Sequence, residues 1–216
     1  MLVFHYASGS PYAWRVQLAL EHKALAYERK LLSFSAGDLK TPEFAALNPR
    51  RKVPVIVDGD FALYESSAIL EYLDEAWPAQ GARLFPGDAR RRAVQRRVIA
   101  EVNGYFETAA DPLWDNAFGK KPEERDLAAV AAAREATSRE LDYLAAGLAD
   151  DFFCGSEPGA ADFSVYTILG FLRRAERRMP EVAFVELIGP QFESWMRRVE
   201  ALPFYEECVP PTWKAG

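Results

Sequence analysis

Residues 48 to 73, NPRRKVPVIVDGDFALYESSAILEYL, leave few folds open to this chain. An apolar strand, Val53 to Val57, is interrupted by Pro54. The chain then turns at Asp58-Gly59 and returns as a second short strand, Ala62 to Tyr64, which runs at once into a helix. Proline has no N–H and belongs at a strand start, an edge or a bulge, so Pro54 marks a break in the ladder. Glu65-Ser66 stands where the second strand becomes helix. The unsatisfied N–H groups of a helix start, together with its dipole, suit that corner to a carboxylate or a phosphate.

The chain before this stretch supplies the rest of a small α/β layer. Leu2, Phe4 and Tyr6 alternate with Val3 and His5 as a short strand, broken by Ala7-Ser8-Gly9-Ser10-Pro11. Ser10 before Pro11 is an N-cap and N1 pair. Val16, Leu18, Ala19 and Leu20 give the apolar side of a helix ending near Lys23. Tyr27 to Leu32 reads as a second strand and Asp38 to Ala46 as a short irregular helix, so the order is β-α-β-α-β-β-α.

After Trp77 the segment PAQGARLFPGD has two prolines, two glycines and no period, and reads as a linker. Two amphipathic helices are expected beyond it. One runs from about Ala89 to Phe118 on Val94, Val98, Val102, Tyr105 and Phe106, and one follows Pro122 on Leu127, Val130, Leu141, Leu144 and Leu148. Phe163 to Leu172, FSVYTILGFL, is apolar all round and reads as the buried centre of a bundle. Phe192 to Val199 closes the set and PPTWKAG is a tail. The expected domains are 1–77, a linker 78–87 and an all-helical 88–216.

Half of the 216 residues are apolar, enough for a substantial core. A net charge of −6 gives no overall drive toward nucleic acid or an anionic membrane. The runs Arg90-Arg91-Arg92, Arg96-Arg97, Arg173-Arg174 and Arg177-Arg178 are interspersed with acids and read as solvated faces or a dimer seam. Cys154 and Cys208 lie far apart without a CxxC, so neither a disulfide framework nor a metal site is indicated. No leader-like N-terminus or apolar run of membrane length occurs, and the expected location is cytoplasmic.

The order NPxxKVPVI, a DG turn, then an aromatic and ESSAI resembles the glutathione-binding half of the glutathione transferase family, over residues 1–77 and more loosely beyond. The resemblance implies a thioredoxin-like α/β domain followed by an all-α helical-bundle domain, with glutathione as co-substrate and assembly as a homodimer. In the second half, Pro158-Gly159-Ala160-Ala161-Asp162 keeps the family's Asp but has Gly where members carry a capping Ser or Thr.

Site residues follow from the resemblance. Ser10, in SPYAWRV, stands where serine-type classes place the hydroxyl that donates to the glutathione thiol, with Ser8 as the alternative donor. Ser10 is also a plain N-cap. Glu65 and Ser66 face the amino and carboxylate groups of the γ-glutamyl end. Val53 pairs through its backbone with the cysteinyl part, beside a cis bond to Pro54. Lys40, Arg51 and Lys52 are the candidates for the glycyl carboxylate. Tyr12, Trp14, Phe106, Trp114 and Phe118 are candidates for an apolar pocket that takes the electrophile, each with a plain core role as the alternative. His5 and His22 have no partner pattern for metal or triad work.

The function implied is activation of glutathione as thiolate for attack on a small hydrophobic electrophile. A glutathione-dependent isomerase or dehalogenase is one alternative. A non-catalytic, transferase-like scaffold protein is the other, because a fold does not decide its site.

Overall fold

The computed structural model describes residues 1–148 and 150–214. The chain forms two units, one of Met1–Pro86 joined by the segment from Pro203 and one of Gly87–Leu202.

The first unit has the expected element order: β1 (Leu2–Ala7), α1 (Pro11–His22), β2 (Tyr27–Leu32), a 3-10 turn at Asp38–Lys40, α2 (Pro42–Leu47), β3 (Val55–Asp58), β4 (Phe61–Tyr64) and α3 (Ser66–Ala76). The strands form one sheet in the order β2-β1-β3-β4, with β1 parallel to β2 and antiparallel to β3. Ser10 caps α1 as expected, its hydroxyl oxygen accepting the Ala13 N–H at 3.2 Å. Helix α1 buries Val16, Leu18, Ala19 and Leu20, the four residues that define its apolar side in the sequence. The third strand begins at Val55 rather than Val53, because Pro54 has no N–H to give and keeps Val53 and itself out of the ladder.

Two segments of loose composition are tied down. In the linker, Asp74 of α3 accepts from Arg83 at 2.6 Å and from the Leu84 N–H at 2.7 Å, with the fully buried Lys23 ammonium 3.7 Å away. Gly81 is left-handed (φ +60) and a β-carbon there would stand 2.3 Å from the Lys23 carbonyl oxygen, so only glycine fits. The C-terminal segment forms α10 (Tyr205–Cys208) and α11 (Pro211–Lys214). It returns to α1: Trp14 meets Trp213 edge-on at 4.9 Å and Tyr205 at 6.3 Å, and Gln17 donates to the Glu207 carbonyl at 3.3 Å.

The second unit is helical: α4 (Ala89–Glu101), α5 (Glu107–Trp114), α6 (Leu127–Gly147), α7 (Ala160–Arg178), α8 (Phe184–Leu187) and α9 (Pro190–Glu200). The run expected as one regular helix to Phe118 is interrupted by π turns at Val102–Phe106 and Asp115–Gly119. Pro112 lies inside α5, and the Asn116 side chain donates to the Pro112 carbonyl at 2.8 Å. Val98, Val102 and Phe106 are buried, whereas Val94, Tyr105 and Leu127 are exposed, against the expected apolar face. Tyr105 lies inside the first π turn, where the backbone departs from the 3.6-residue phase; Val94 precedes that turn and Leu127 is the first residue of α6, so the π turns do not account for their exposure.

Helix α7 is the buried centre, as expected, and longer than its apolar run. Gly159 offers no side chain as a cap, and Asp162 supplies the polar anchor. It accepts from the N–H groups of Phe153 (2.8 Å), Cys154 (3.3 Å) and Gly159 (3.1 Å) and from the Trp195 indole (2.9 Å). Among the arginine runs, Arg90, Arg91, Arg97, Arg177 and Arg178 face outward, while Arg92, Arg96, Arg173 and Arg174 are half-buried. Arg173 pairs with Glu200 at 2.8 Å. Cys154 and Cys208 are free and buried. No helix among the described residues is long and apolar enough to cross a membrane.

Candidate functional site

Strand register brings the separate motifs to one end of the sheet. In the parallel pair, Ala7 at the end of β1 stands opposite Leu32 at the end of β2, so the loops toward Ser10 and toward Lys40 leave from the same side. In the antiparallel pairs, His5 faces Val55 and Val55 faces Tyr64. The chain therefore enters β3 through Val53-Pro54, and leaves β4 into Glu65-Ser66, at that same end. Ser8, Ser10, Lys40, Arg51, Lys52, Val53, Pro54, Glu65 and Ser66 all lie in the loops and helix starts there.

The Val53–Pro54 peptide bond is cis. Val53 and Pro54 are buried, while Lys40, Arg51 and Lys52 are exposed. The loop before them is organised by Asn48, a residue that the motif contains but to which sequence reasoning gave no role. Buried at the end of α2, Asn48 donates through its side chain to the Lys52 carbonyl at 2.7 Å and accepts the Arg50 N–H at 2.9 Å, while its own carbonyl accepts the Arg51 N–H at 2.9 Å. An Asn ahead of a proline and a basic loop was the available signal, since Asn bonds readily to backbone two residues on.

Glu65 occupies the N-cap position of α3 with φ +70 and makes no capping bond with its own side chain. Ser66, the first helical residue, is buried. The start of α3 thus offers its backbone N–H groups with a hydroxyl and a carboxylate side by side. Arg51 is also left-handed at φ +53, so two of the candidate contact residues hold a conformation that L side chains disfavour. Such strain concentrates at binding and catalytic sites.

The Ser10 oxygen uses a lone pair toward Ala13, and a hydroxyl has two lone pairs and one O–H. Capping therefore leaves its hydrogen available as a donor. On α1, Tyr12 is half-buried with the Arg15 guanidinium over its ring at 4.8 Å, and Trp14 is buried against the C-terminal segment. In the second unit Phe106 is fully buried, while Trp114 and Phe118 contact Phe171. His5 is buried beside Phe44, and burial followed by the nearby Lys30 charge pushes its pKa below the ordinary value.

Residues 9–76 match the family model of the glutathione S-transferase N-terminal domain, and residues 127–198 match that of the C-terminal domain. Over 214 residues the chain is 32% identical to glutathione S-transferase A of Pleuronectes platessa, covering 96% of this chain and 91% of that protein. The chain belongs to the glutathione S-transferase family. Among solved structures it is similar to a glutathione S-transferase from the Antarctic clam Laternula elliptica, with a TM-score of 0.83 at 26% identity over 100% of this chain and 94% of that one. A theta-class glutathione S-transferase from Xanthomonas axonopodis pv. citri, solved with glutathione bound, matches with a TM-score of 0.79 at 25% identity over 96% of each chain. The family's two-part architecture, a mixed four-stranded sheet domain followed by helices, is the architecture of this chain.

Proposed function

We propose that this glutathione S-transferase family member is a serine-type glutathione transferase that activates the thiol of bound glutathione for attack on a small electrophile. The observation that carries the reading is the sheet register, which gathers the Ser10 loop, the entry to Val53-Pro54 and the Glu65-Ser66 helix start at one end of the sheet. The γ-glutamyl carboxylate lies at the start of α3, held by backbone N–H groups and the Ser66 hydroxyl, with Glu65 facing the amino group. The cysteinyl backbone pairs with Val53, outside the β3 ladder. Lys40, Arg51 or Lys52 takes the glycyl carboxylate.

A free thiol has a pKa of about 8.5, and a helix N-terminus with a hydrogen-bond donor brings it toward 7 or below. The Ser10 O–H donates to the sulfur, and the N-terminal end of α1 adds its partial positive charge. The thiolate attacks the electrophilic carbon, the S–C bond forms and the leaving group departs with its electron pair. Neither metal nor covalent enzyme intermediate enters this scheme. Holding both reactants in place supplies the remaining acceleration.

The deciding experiment is calorimetric titration of the purified protein with glutathione, followed in the same sample by thiolate absorbance against pH. Binding with a bound-thiol pKa well below the free value is the expected result. No binding at millimolar concentration overturns the reading and moves the function to a protein partner.

We also propose assembly as a homodimer. What supports it is a groove of about 550 Å³ on the second unit between α4 and α6, lined by Arg97, Glu101, Tyr105, Glu140, Tyr143 and Leu144. Tyr105 and Tyr143 are 69% and 71% exposed there, beside charges of both signs that suit a self-complementary contact. Sedimentation as a monomer of 24.3 kDa would count against it.

A further inference from the structure

The loop that carries two of the candidate cations is held by one side chain. Between the end of α2 and the start of β3 the chain reads Asn48-Pro49-Arg50-Arg51-Lys52-Val53-Pro54, and Arg50, Arg51 and Lys52 are all exposed. Three adjacent cations repel one another, and none of them pairs with an acid among the described residues. Arg51 is left-handed besides, at φ +53, a conformation that L side chains disfavour. By charge and by backbone, such a loop is expected to be loose.

Asn48 opposes this. It is 2% exposed, and both of its backbone groups and both ends of its side-chain amide are engaged. Its N–H donates to the Phe44 carbonyl and its own carbonyl accepts the Arg51 N–H, each at 2.9 Å. The side-chain oxygen accepts the Arg50 N–H at 2.9 Å, and the side-chain nitrogen donates to the Lys52 carbonyl at 2.7 Å. One buried residue therefore ties α2 to residues 50, 51 and 52 in turn, and fixes the backbone from which the Arg51 and Lys52 side chains leave.

A turn by itself does not call for this arrangement. Glycine meets a left-handed position without strain, and residues of mixed charge avoid the repulsion. Here strain and like charges are kept together at the end of the sheet where the other motifs converge. Strain of this kind concentrates where a protein holds groups ready for a ligand, and a cation fixed beforehand loses less entropy when the anion arrives.

We propose that Asn48 is a positioning residue for glutathione. It touches no part of the ligand and sets the cations of its loop, Arg51 and Lys52, for the glycyl carboxylate. Lys40, on the 3-10 turn before α2, lies outside the loop that Asn48 ties. This assignment rests on the reading of the first unit as a glutathione site and deepens it.

The test is calorimetry on the full-length protein with glutathione and with its glycyl monoethyl ester, which masks that carboxylate and keeps the rest of the tripeptide. The parent binds glutathione about tenfold more tightly than the ester. In Asn48→Ala the glutathione affinity falls about tenfold while the ester affinity stays within about twofold, so the preference disappears. Lys40→Ala keeps the preference. The bound-thiol pKa, read from thiolate absorbance in the saturated complexes, is the same in the parent and in Asn48→Ala, because Ser10 lies on another loop. A role confined to holding the fold lowers the melting temperature and weakens both ligands alike.

Should Asn48→Ala fail to fold, Asn48→Ser carries the test with a reduced preference, since its hydroxyl still accepts the Arg50 N–H but is too short to reach the Lys52 carbonyl. Equal affinity of the parent for glutathione and ester, equal weakening of both in the variant, a preference that survives it, loss of the preference in Lys40→Ala, or a bound-thiol pKa that moves overturns the role of Asn48 and leaves the glutathione site standing. Absence of glutathione binding in the parent overturns both.

Discussion

The Ser10 hydroxyl accepts the Ala13 N–H at 3.2 Å, which makes the cap and the proposed thiol donor one and the same group. The two roles do not compete, because the cap uses a lone pair and the thiolate uses the O–H. Ser10→Ala removes both, with a stability loss of about 1 kcal/mol from the cap and a large fall in turnover. Ser10→Gly separates them: glycine is within a few tenths of a kcal/mol of serine as a cap, so thermal stability returns while turnover stays low. Melting curves and thiolate titrations of the two variants check this. Full activity in Ser10→Gly shifts the donor to Ser8.

Glu65 holds φ +70 at the entry to α3. A left-handed conformation costs a non-glycine residue about 1–2 kcal/mol, so Glu65→Gly is expected to melt no lower than the parent despite losing a side chain. Glutathione affinity should nonetheless fall about tenfold or more, since a charge-assisted contact to the γ-glutamyl amino group is lost. Calorimetry beside a melting curve separates the two effects. Ser66→Ala, which keeps the backbone N–H groups, should weaken binding less.

The Lys23, Asp74 and Arg83 cluster predicts an asymmetry. Lys23 and Asp74 are both buried. Asp74→Ala leaves the Lys23 ammonium in the interior without its carboxylate and should cost about 3–5 kcal/mol. Lys23→Met leaves Asp74 with Arg83 and the Leu84 N–H and should be close to neutral. Chemical denaturation of the two variants is the check, and equal losses would sink the account.

The same cluster sets a pH dependence. Burial by itself would raise the Asp74 pKa, but the Arg83 guanidinium, the Leu84 N–H and Lys23 reverse this and hold it below the ordinary carboxylate value. The unfolded chain therefore takes up the proton first. The stabilisation is complete above the unfolded pKa of about 3.9 and disappears as pH falls from there through the folded value. Burial pushes the Lys23 pKa down, so its charged form is the disfavoured one in the fold, and its unfavourable share shrinks as pH rises from its folded pKa toward about 10.4. Asp74→Asn should flatten the acid limb of a stability-against-pH curve, and an unchanged limb would assign the acid sensitivity elsewhere.

Asp162 gathers four donors at the start of α7, three from backbone and one from Trp195. Asp162→Ala strands all four in the core and is expected to cost about 4 kcal/mol or more, enough to unfold much of the second unit. Asp162→Asn, which keeps an acceptor oxygen, should retain part of that stability. Denaturation monitored by far-ultraviolet circular dichroism distinguishes them.

Much of the first unit is written in local chemistry. Ser10-Pro11 starts a helix, Asp58-Gly59 turns two strands, and Pro54 ends a ladder because it has no N–H to give. These signals act over a few residues, so the element order is legible in the chain itself, whereas the glutathione-site candidates follow from the family resemblance. The second unit is less so. The π turns around Val102 and Asp115 carry no compositional mark and shift the helix phase, and Tyr105, inside the first of them, lies off the face that a regular-helix reading gives it.

What the sequence determined by itself is the set of elements and the residue types available at their ends, since capping, turn and breaker preferences are local. Tertiary structure alone decided their company. Strand register, set by pairing across distant segments, brought Ser10, Val53 and Glu65 to one end of the sheet. Burial turned Asn48 into the organiser of a basic loop, drew Arg83 of an apparent linker onto Asp74, and folded the tail back so that Trp213 meets Trp14. Each of these contacts joins residues whose local sequence states no preference for the other, and only the closing of the chain on itself makes them favourable.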